Sequence, residues 1–307
     1  MYSLSLKHMA ALAGLSAATL LPVNLIAETA VSPSIEQNTR SGFDKQEILS
    51  VAGKVADWQI KEFPNNKYAI SEPKGWIAGA LYLGMYDWAE LCGDTQYFDW
   101  LKKVFNRQHW QVADRMYHAD DVCVSQTYLD MYNKYKEEKM LLPTLARIDW
   151  VINNPSKGGL DIDYSKPVTY ERWSWCDALF MAPAVYTRLY TLTGNKKYMM
   201  FADTEFKATY NHLYDKDEKL FFRDSRYFGQ KEANGKKVFW GRGNGWVIGG
   251  LAEILKTLPV DDTEYRPFYL QLFQEISERL AGLQSKDGYW HASLLDPESY
   301  PSPETSA

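Results

Sequence analysis

Cys92-Gly93-Asp94-Thr95-Gln96-Tyr97 and Thr193-Gly194-Asn195-Lys196-Lys197-Tyr198 carry one pattern twice. In each, a glycine stops one helix, an Asp or Asn with its neighbours starts the next, and a Tyr packs back. The segments before the two breaks, Gly79-Ala80-Leu81-Tyr82-Leu83 and Tyr186-Thr187-Arg188-Leu189-Tyr190, share a mix of small and aromatic residues. The unit is a helical hairpin. Outward from these breaks, apolar residues recur with helical period and strand signals are nearly absent, which predicts an all-α chain. Helices are expected at 44–62, 76–92, 95–112, 121–135, 138–153, 173–193, 196–213, 244–257 and 264–283. The hairpins headed by Asp121 and Gly245 repeat the first-helix pattern without the break.

Repeated hairpins stack so that each covers its neighbour's apolar face. Helices rich in small residues should line the inside, since close approach favours Gly and Ala, and amphipathic partners should form the outer layer. Closure into an (α/α)6 toroid takes six hairpins, more than these helices supply. The chain stops at Ser299-Tyr300-Pro301-Ser302-Pro303-Glu304-Thr305-Ser306-Ala307, a segment rich in helix-starting residues. The expectation is an α/α toroid domain over 44–307 that is C-terminally incomplete.

The 307 residues are 46% hydrophobic and 24% charged, as in a globular protein. Lys7 and His8 precede an apolar run from Met9 to Leu21 and small residues at Ala27 and Ala30, the pattern of a secretory leader. The run is too short, and too interrupted by Gly14 and Ser16, for a spanning helix. Residues 1–27 are therefore expected to be a signal peptide and 28–43 a linker, with the mature protein periplasmic or secreted and no membrane partner. Cleavage after Ala27 leaves 33 basic and 39 acidic residues, a net charge of -6 that argues against nucleic acid. Cys92, Cys123 and Cys176 show no metal-binding or disulfide spacing, and no metal or organic cofactor is expected. Oligomeric state is left open. The aromatic content is 15%, with 11 Trp and 21 Tyr, a surplus that suits sugar rings as well as a large core.

In a helical toroid the loops before the inner helices gather at one mouth. Here those loops read Pro73-Lys74-Gly75-Trp76, His118-Ala119-Asp120-Asp121, Glu171-Arg172-Trp173-Ser174-Trp175-Cys176-Asp177 and Phe239-Trp240-Gly241-Arg242-Gly243-Asn244-Gly245-Trp246. Each joins an aromatic to a polar group, and carboxylates stand in the middle two. An Asp at a helix start is ordinarily a cap. Flanking tryptophans and a second acidic head favour Asp177 as a catalytic acid instead, with Asp120 as its partner and Asp121 as the other member of the doublet. Two carboxylates across a cleft suit acid-assisted cleavage of a sugar bond or addition of water. Arg242, between glycines that let backbone approach a ligand, offers a planar fork to a carboxylate. A phosphate loop is excluded, since no strand precedes the motif and no Gly-Lys-Ser or Gly-Lys-Thr occurs. His118 and His291 are candidate proton relays or sugar contacts.

Asp120-Asp121 through Gln126-Thr127-Tyr128-Leu129, Trp-Cys-Asp-Ala-Leu-Phe-Met (175–181) and Trp-Gly-Arg-Gly-Asn-Gly-Trp (240–246) resemble the unsaturated rhamnogalacturonyl hydrolases of glycoside hydrolase family 105, relatives of the family 88 unsaturated glucuronyl hydrolases. The resemblance runs from about residue 44 to the end. It implies an (α/α)6 barrel that removes a 4,5-unsaturated galacturonyl residue from the non-reducing end of pectin oligosaccharides. Asp177 would protonate C4 of the enol ether and help deliver water to C5. The hemiketal so formed opens and expels the remaining sugar. Asp120 would hold the ring and support the transfer, Arg242 would pair with the uronate carboxylate, and Trp246 would stack. Trp175, Trp76, Asp121, His118, Arg223 and His291 complete the expected substrate contacts. Some members carry a His in the segment that here reads Leu220 to Tyr227, where Arg223 stands instead. The partner is an unsaturated uronate-terminated oligosaccharide. Rival readings are a glycosaminoglycan-type unsaturated glucuronyl hydrolase, a non-catalytic glycan-binding protein, and a sugar isomerase, the last disfavoured by only five His.

Overall fold

Gly93 and Gly194 both take the left-handed conformation, at φ 73° and 67°, and each returns its N–H to the helix it ends. Asp94 and Asn195 then cap the following helices by accepting from the amides of Gln96 and Lys197. The tyrosines that follow reach back to the preceding helices: the hydroxyl of Tyr97 donates to Asp57 at 2.8 Å and that of Tyr198 to Asp149 at 2.8 Å. One local device is used twice. The computed structural model describes residues 44–63, 72–301 and 303–306. The expected leader and linker, 1–27 and 28–43, lie outside the described residues.

The helices are α1 (Lys45–Glu62), α2 (Trp76–Cys92), α3 (Thr95–Arg107), α4 (Ser125–Tyr135), α5 (Leu142–Asn153), α6 (Ala178–Met181), α7 (Pro183–Thr193), α8 (Lys196–Leu213), α9 (Gly241–Thr257) and α10 (Arg266–Ala281). Antiparallel pairs β1 (Tyr214–Asp215) with β2 (Leu220–Phe221), and β3 (Tyr289–His291) with β4 (Pro303–Ser306), are the strands among the described residues. The helical array is of the α/α toroid class. Along its inner layer α2 packs on α4, α4 on α7, and α7 on α9, while α3, α8 and α10 pair with α2, α7 and α9 from outside. Small residues permit this closeness. A Cβ on Gly250 of α9 would stand 2.2 Å from the carbonyl oxygen of Leu179, so only glycine fits there.

Inner helices also need their polar groups satisfied. Arg188 of α7, buried to 4% side-chain exposure, forks onto Asp130 of α4 at 2.8 and 3.0 Å and donates to Glu253 of α9 at 2.6 Å. Removing one partner of such a buried network typically costs about 3–5 kcal/mol. It joins three inner helices through one side chain.

Three expected boundaries are corrected. The helix read as 95–112 ends at Arg107, because His109 and Trp110 are left-handed (φ 52° and 57°) and swing Trp110 onto Phe105 and Tyr128. The span 173–193 is not one helix: α6 stops at Met181, and Pro183, which lacks an N–H and clashes with the preceding turn, begins α7. Residues 173–175 are not helical, and Cys176 and Asp177 form the turn that enters α6. There Trp175 bridges Asp224, and the amide of Cys176 donates to the carbonyl of Arg223 at 2.8 Å.

Candidate active site

The heads of α2, the 119–122 turn, α6 and α9 meet. Trp76 and Trp246 make an edge contact at 5.7 Å, Phe180 lies 4.8 Å from Trp246, and His118 packs at a tilt on Trp175 at 4.8 Å. Gly243 brings α9 against Cys176, since a Cβ there would lie 3.0 Å from its sulfur and 2.6 Å from Trp240. Gly241 is likewise packed on the carbonyl of His291. This corrects the expected role of these glycines: they admit neighbouring protein, and the motif forms the first turns of α9 rather than a ligand-cradling loop.

Asp177 occupies the N-cap position of α6, but its side chain makes no capping hydrogen bond. Its carboxylate instead accepts from the Cys176 thiol at 3.4 Å. Burial raises its pKa, while the thiol and the charges of Arg223 and Arg242 pull the other way. Both guanidiniums also approach the Trp240 ring, at 5.9 Å and 4.4 Å. Asp177 therefore shares its surroundings with two cations suited to a substrate carboxylate.

The acidic doublet divides cleanly. Asp121 is 3% exposed and turned inward, accepting from the amide of Arg115 at 2.6 Å and from its guanidinium at 2.9 and 2.5 Å. It fixes Arg115, which corrects its expectation as a substrate contact. Asp120 is held far less closely by Arg115. One of its oxygens, Oδ1, is buried without a partner, and the other lies 3.7 Å from His118 and 4.0 Å from Arg115. Burial pushes its pKa up to about 7; Arg115 opposes that, and the negative charges of Asp177 and Asp121 add to it. Two coupled, largely buried carboxylates of which Asp120 holds a proton near neutrality form an acid–base pair.

His118 stands beside Asp120. Its Nδ1 accepts from the Asp120 amide at 3.3 Å, and burial together with Arg115 lowers its pKa to about 4, so near neutrality it is a neutral ring. It continues an aromatic file in which Tyr164 stacks on Tyr170 at 5.3 Å and Tyr170 on His118 at 6.2 Å. A cavity of about 450 Å³ opens beside this file, lined by Arg115, Met116, Tyr117, Pro167, Tyr170 and Glu171 as well as His118. Trp246 presents a buried indole N–H without a partner. His291 holds the carbonyl of Tyr300 through Nδ1 at 2.9 Å and packs on Tyr289, so its ring braces the segment that covers the α9 head. Arg223 pairs with buried Asp224 and donates to the Tyr164 hydroxyl at 2.9 Å. Among the described residues no group of three or more His, Cys, Asp or Glu is placed to hold a metal.

Arg115, Tyr164, Tyr170 and Arg226 escape the reading of hairpin heads. Most lie in irregular segments whose aromatics carry no period, and clustering of Tyr and Arg between hairpins is the one signal available. Comparison with known proteins adds the following. The family model described as Glycosyl Hydrolase Family 88 matches residues 51–307. The chain is 36% identical to the unsaturated 3S-rhamnoglycuronyl hydrolase of Alteromonas sp. (strain LOR), over 85% of this chain and 68% of that protein. It is 37% identical to the protein of the same name from Formosa agariphila, over 89% of this chain and 73% of that one. The solved glycosyl hydrolase family 88 structure from Bacteroides vulgatus superposes with a TM-score of 0.72 at 26% identity, over 84% of this chain and 75% of that one.

Proposed function

Because the chain belongs to glycosyl hydrolase family 88, we propose that Asp120 and Asp177 release a 4,5-unsaturated uronyl residue from a rhamnose-containing oligosaccharide by adding water across its double bond. The chain is a glycoside hydrolase, and its activity is that of an unsaturated uronyl hydrolase. The observation that carries the division of labour is the pair itself: Asp177, displaced from its capping duty, faces the arginines, and Asp120 keeps a buried, unpartnered oxygen.

The uronate carboxylate is placed on Arg242, with Trp246 and Trp76 against the ring. A substrate anion there offsets the charges of Arg223 and Arg242, which oppose the upward push of burial on Asp177, so its affinity for a proton rises further as substrate binds. Asp177 then gives that proton to C4, and positive charge develops at C5, where the ring oxygen shares it. Water adds at C5 and loses its proton to a carboxylate of the pair. The hemiketal opens, and the resulting hemiacetal at C1 expels the sugar with its glycosidic oxygen. Asp120 holds a ring hydroxyl and supports the transfer.

Rhamnose as the sugar released is supported by the names of the relatives at 36% and 37% identity. The setting is a pectin-like or other rhamnose-bearing polysaccharide already cut by a lyase, since only elimination leaves the double bond. The leader-like pattern of residues 1–27 supports action outside the cytoplasm. The decisive assay pairs an unsaturated uronyl-rhamnose with its saturated analogue. Ultraviolet absorbance of the conjugated double bond should fall in step with release of rhamnose, and the saturated compound should persist. Cleavage of the saturated compound would replace hydration by displacement at C1, and preference for a hexosamine leaving sugar would favour the glycosaminoglycan reading.

A further inference from the structure

The first turn of α6 has no amide to spare for a side-chain cap. Asp177 itself sits in helical backbone, at φ -61° and ψ -29°, where a capping residue is usually extended. The amides of Ala178 and Leu179 already donate to the carbonyls of Trp175 and Cys176 at 3.1 and 3.0 Å. Those of Phe180 and Met181 donate to the carbonyl of Asp177 at 3.0 and 3.3 Å. A carboxylate largely buried at such a place must find a donor elsewhere. The Cys176 thiol supplies one, with Sγ 3.4 Å from Oδ2.

Cys176 is fixed on several sides. Its amide donates to the carbonyl of Arg223 at 2.8 Å, its carbonyl accepts from Leu179, and its sulfur lies against Gly243 of α9, where a Cβ would approach it to 3.0 Å. The residue is buried, and burial raises the pKa of the thiol well above its ordinary value; the negative charges of Asp177 and Asp224 add to that, and Arg223 opposes it. The sulfur therefore keeps its proton and serves as the donor. A thiol differs from the donors that a buried carboxylate commonly meets. Several backbone amides together can take a carboxyl pKa below about 2, and a group held so firmly would not carry a proton near neutrality. A thiol is a weak donor that tolerates an apolar pocket. It fixes the direction of a carboxylate without claiming its charge.

We propose that Cys176 is a positioning residue for the hydration, its buried thiol holding Oδ2 of Asp177 against the protein so that Oδ1 is left to hand the proton to the substrate. This rests on the function proposed above and adds to it the group that aims the proton donor. The other charges facing Asp177 are Arg223, which follows β2, Arg242 of α9 and Asp120 of the 119–122 turn, with Asp224 paired to Arg223. A change at position 176 alters none of these four side chains.

The test follows kcat, KM and the pH dependence of kcat/KM on an unsaturated uronyl-rhamnose for wild type, Cys176→Ala and Cys176→Ser. The pair works with one proton, so the acidic limb reports the second protonation, centred on Asp177. Cys176→Ala loses a bond to the ionised form, Asp177 then holds its proton more tightly, and the limb should move to higher pH by about half a unit to one unit. With the carboxylate no longer aimed, kcat should fall about tenfold or more and KM should change little. Cys176→Ser restores a donor and should return the limb to its wild-type place or below it, with most of kcat recovered. Similar losses in the two variants with an unmoved limb would reduce Cys176 to packing and overturn the proposal. Should both variants fold poorly, infrared spectra of the unaltered enzyme decide: one S–H stretching band should shift as pH crosses the acidic limb, and thiol bands indifferent to that limb overturn the proposal. Either failure, with normal turnover by wild type, leaves the hydrolase reading intact. No turnover by wild type overturns both.

Discussion

Asp177 stands where a capping aspartate would stand, yet its carboxylate takes no amide of α6 and accepts from a thiol instead. The sequence offers reasons to suspect this, in the tryptophans around it and the acid at a neighbouring head. Which member of the Asp120-Asp121 doublet joins it is not legible, because either could sit in the same short turn. Packing decides: Arg115 claims Asp121 and leaves Asp120 with an open oxygen. Asp177→Asn should lower kcat by about 10²–10⁴-fold, the usual share of a positioned proton donor, with a smaller change in KM. Near-normal kcat in that variant would remove Asp177 from the chemistry. The pH profile follows from Asp120. Its carboxyl, raised by burial to about 7, is protonated below that value and ionised above it. Activity that needs one proton on the pair should therefore fall as pH rises through about 7, and Asp120→Asn should displace that limb. An alkaline limb unmoved in Asp120→Asn would assign it to another group.

Among elements, the C-terminal ends of α2 and α7 and the starts of α3 and α8 are readable because glycine and its capping successor act locally. The segment 173–176 is not, since Trp-Ser-Trp-Cys has the apolar density of a buried helix and its non-helical form depends on residues 223–224, far away in sequence. Asn244 shows the same dependence. It lies in the motif that attracted notice for Arg242, but its own side chain is buried and acts as a partner for a strand. Oδ1 accepts from the amide of Phe221 at 2.8 Å, and Nδ2 donates to the carbonyls of Phe221 and Trp240, both at 3.1 Å. Through these bonds α9 holds β2, and β2 leads directly into Arg223. Asn244→Ala would leave the buried amide and carbonyl of Phe221 unpaired, at a cost of about 1–3 kcal/mol for each unsatisfied group. Urea denaturation should show a loss in that range, and KM should rise as Arg223 loosens. Unchanged stability would mean that water replaces the side chain without penalty.

At the scale of the molecule, the toroid places its inner helix starts together, and the acids gathered there oppose folding. A carboxyl whose pKa is about 7 in the native state and near 3.8 when unfolded holds its proton more tightly when folded. The sign then follows from linkage: the native state binds the extra proton between those values, so stability declines as pH rises from about 4 to about 7 and levels off above. For Asp120, with 17% of its side chain exposed, the full span amounts to as much as about 4 kcal/mol at 1.36 kcal/mol per pKa unit. Asp120→Asn cannot ionise and escapes this penalty. Urea unfolding of wild type and variant at several pH values should give curves that lie closest near pH 4 and separate through neutrality, with the variant the more stable at about pH 8. A gap that stays constant with pH would mean that Asp120 is ionised in the folded protein throughout. A gap that widens would show the proton held in the empty site, ready for transfer when a uronate carboxylate arrives at the arginines and raises the proton affinity of Asp177.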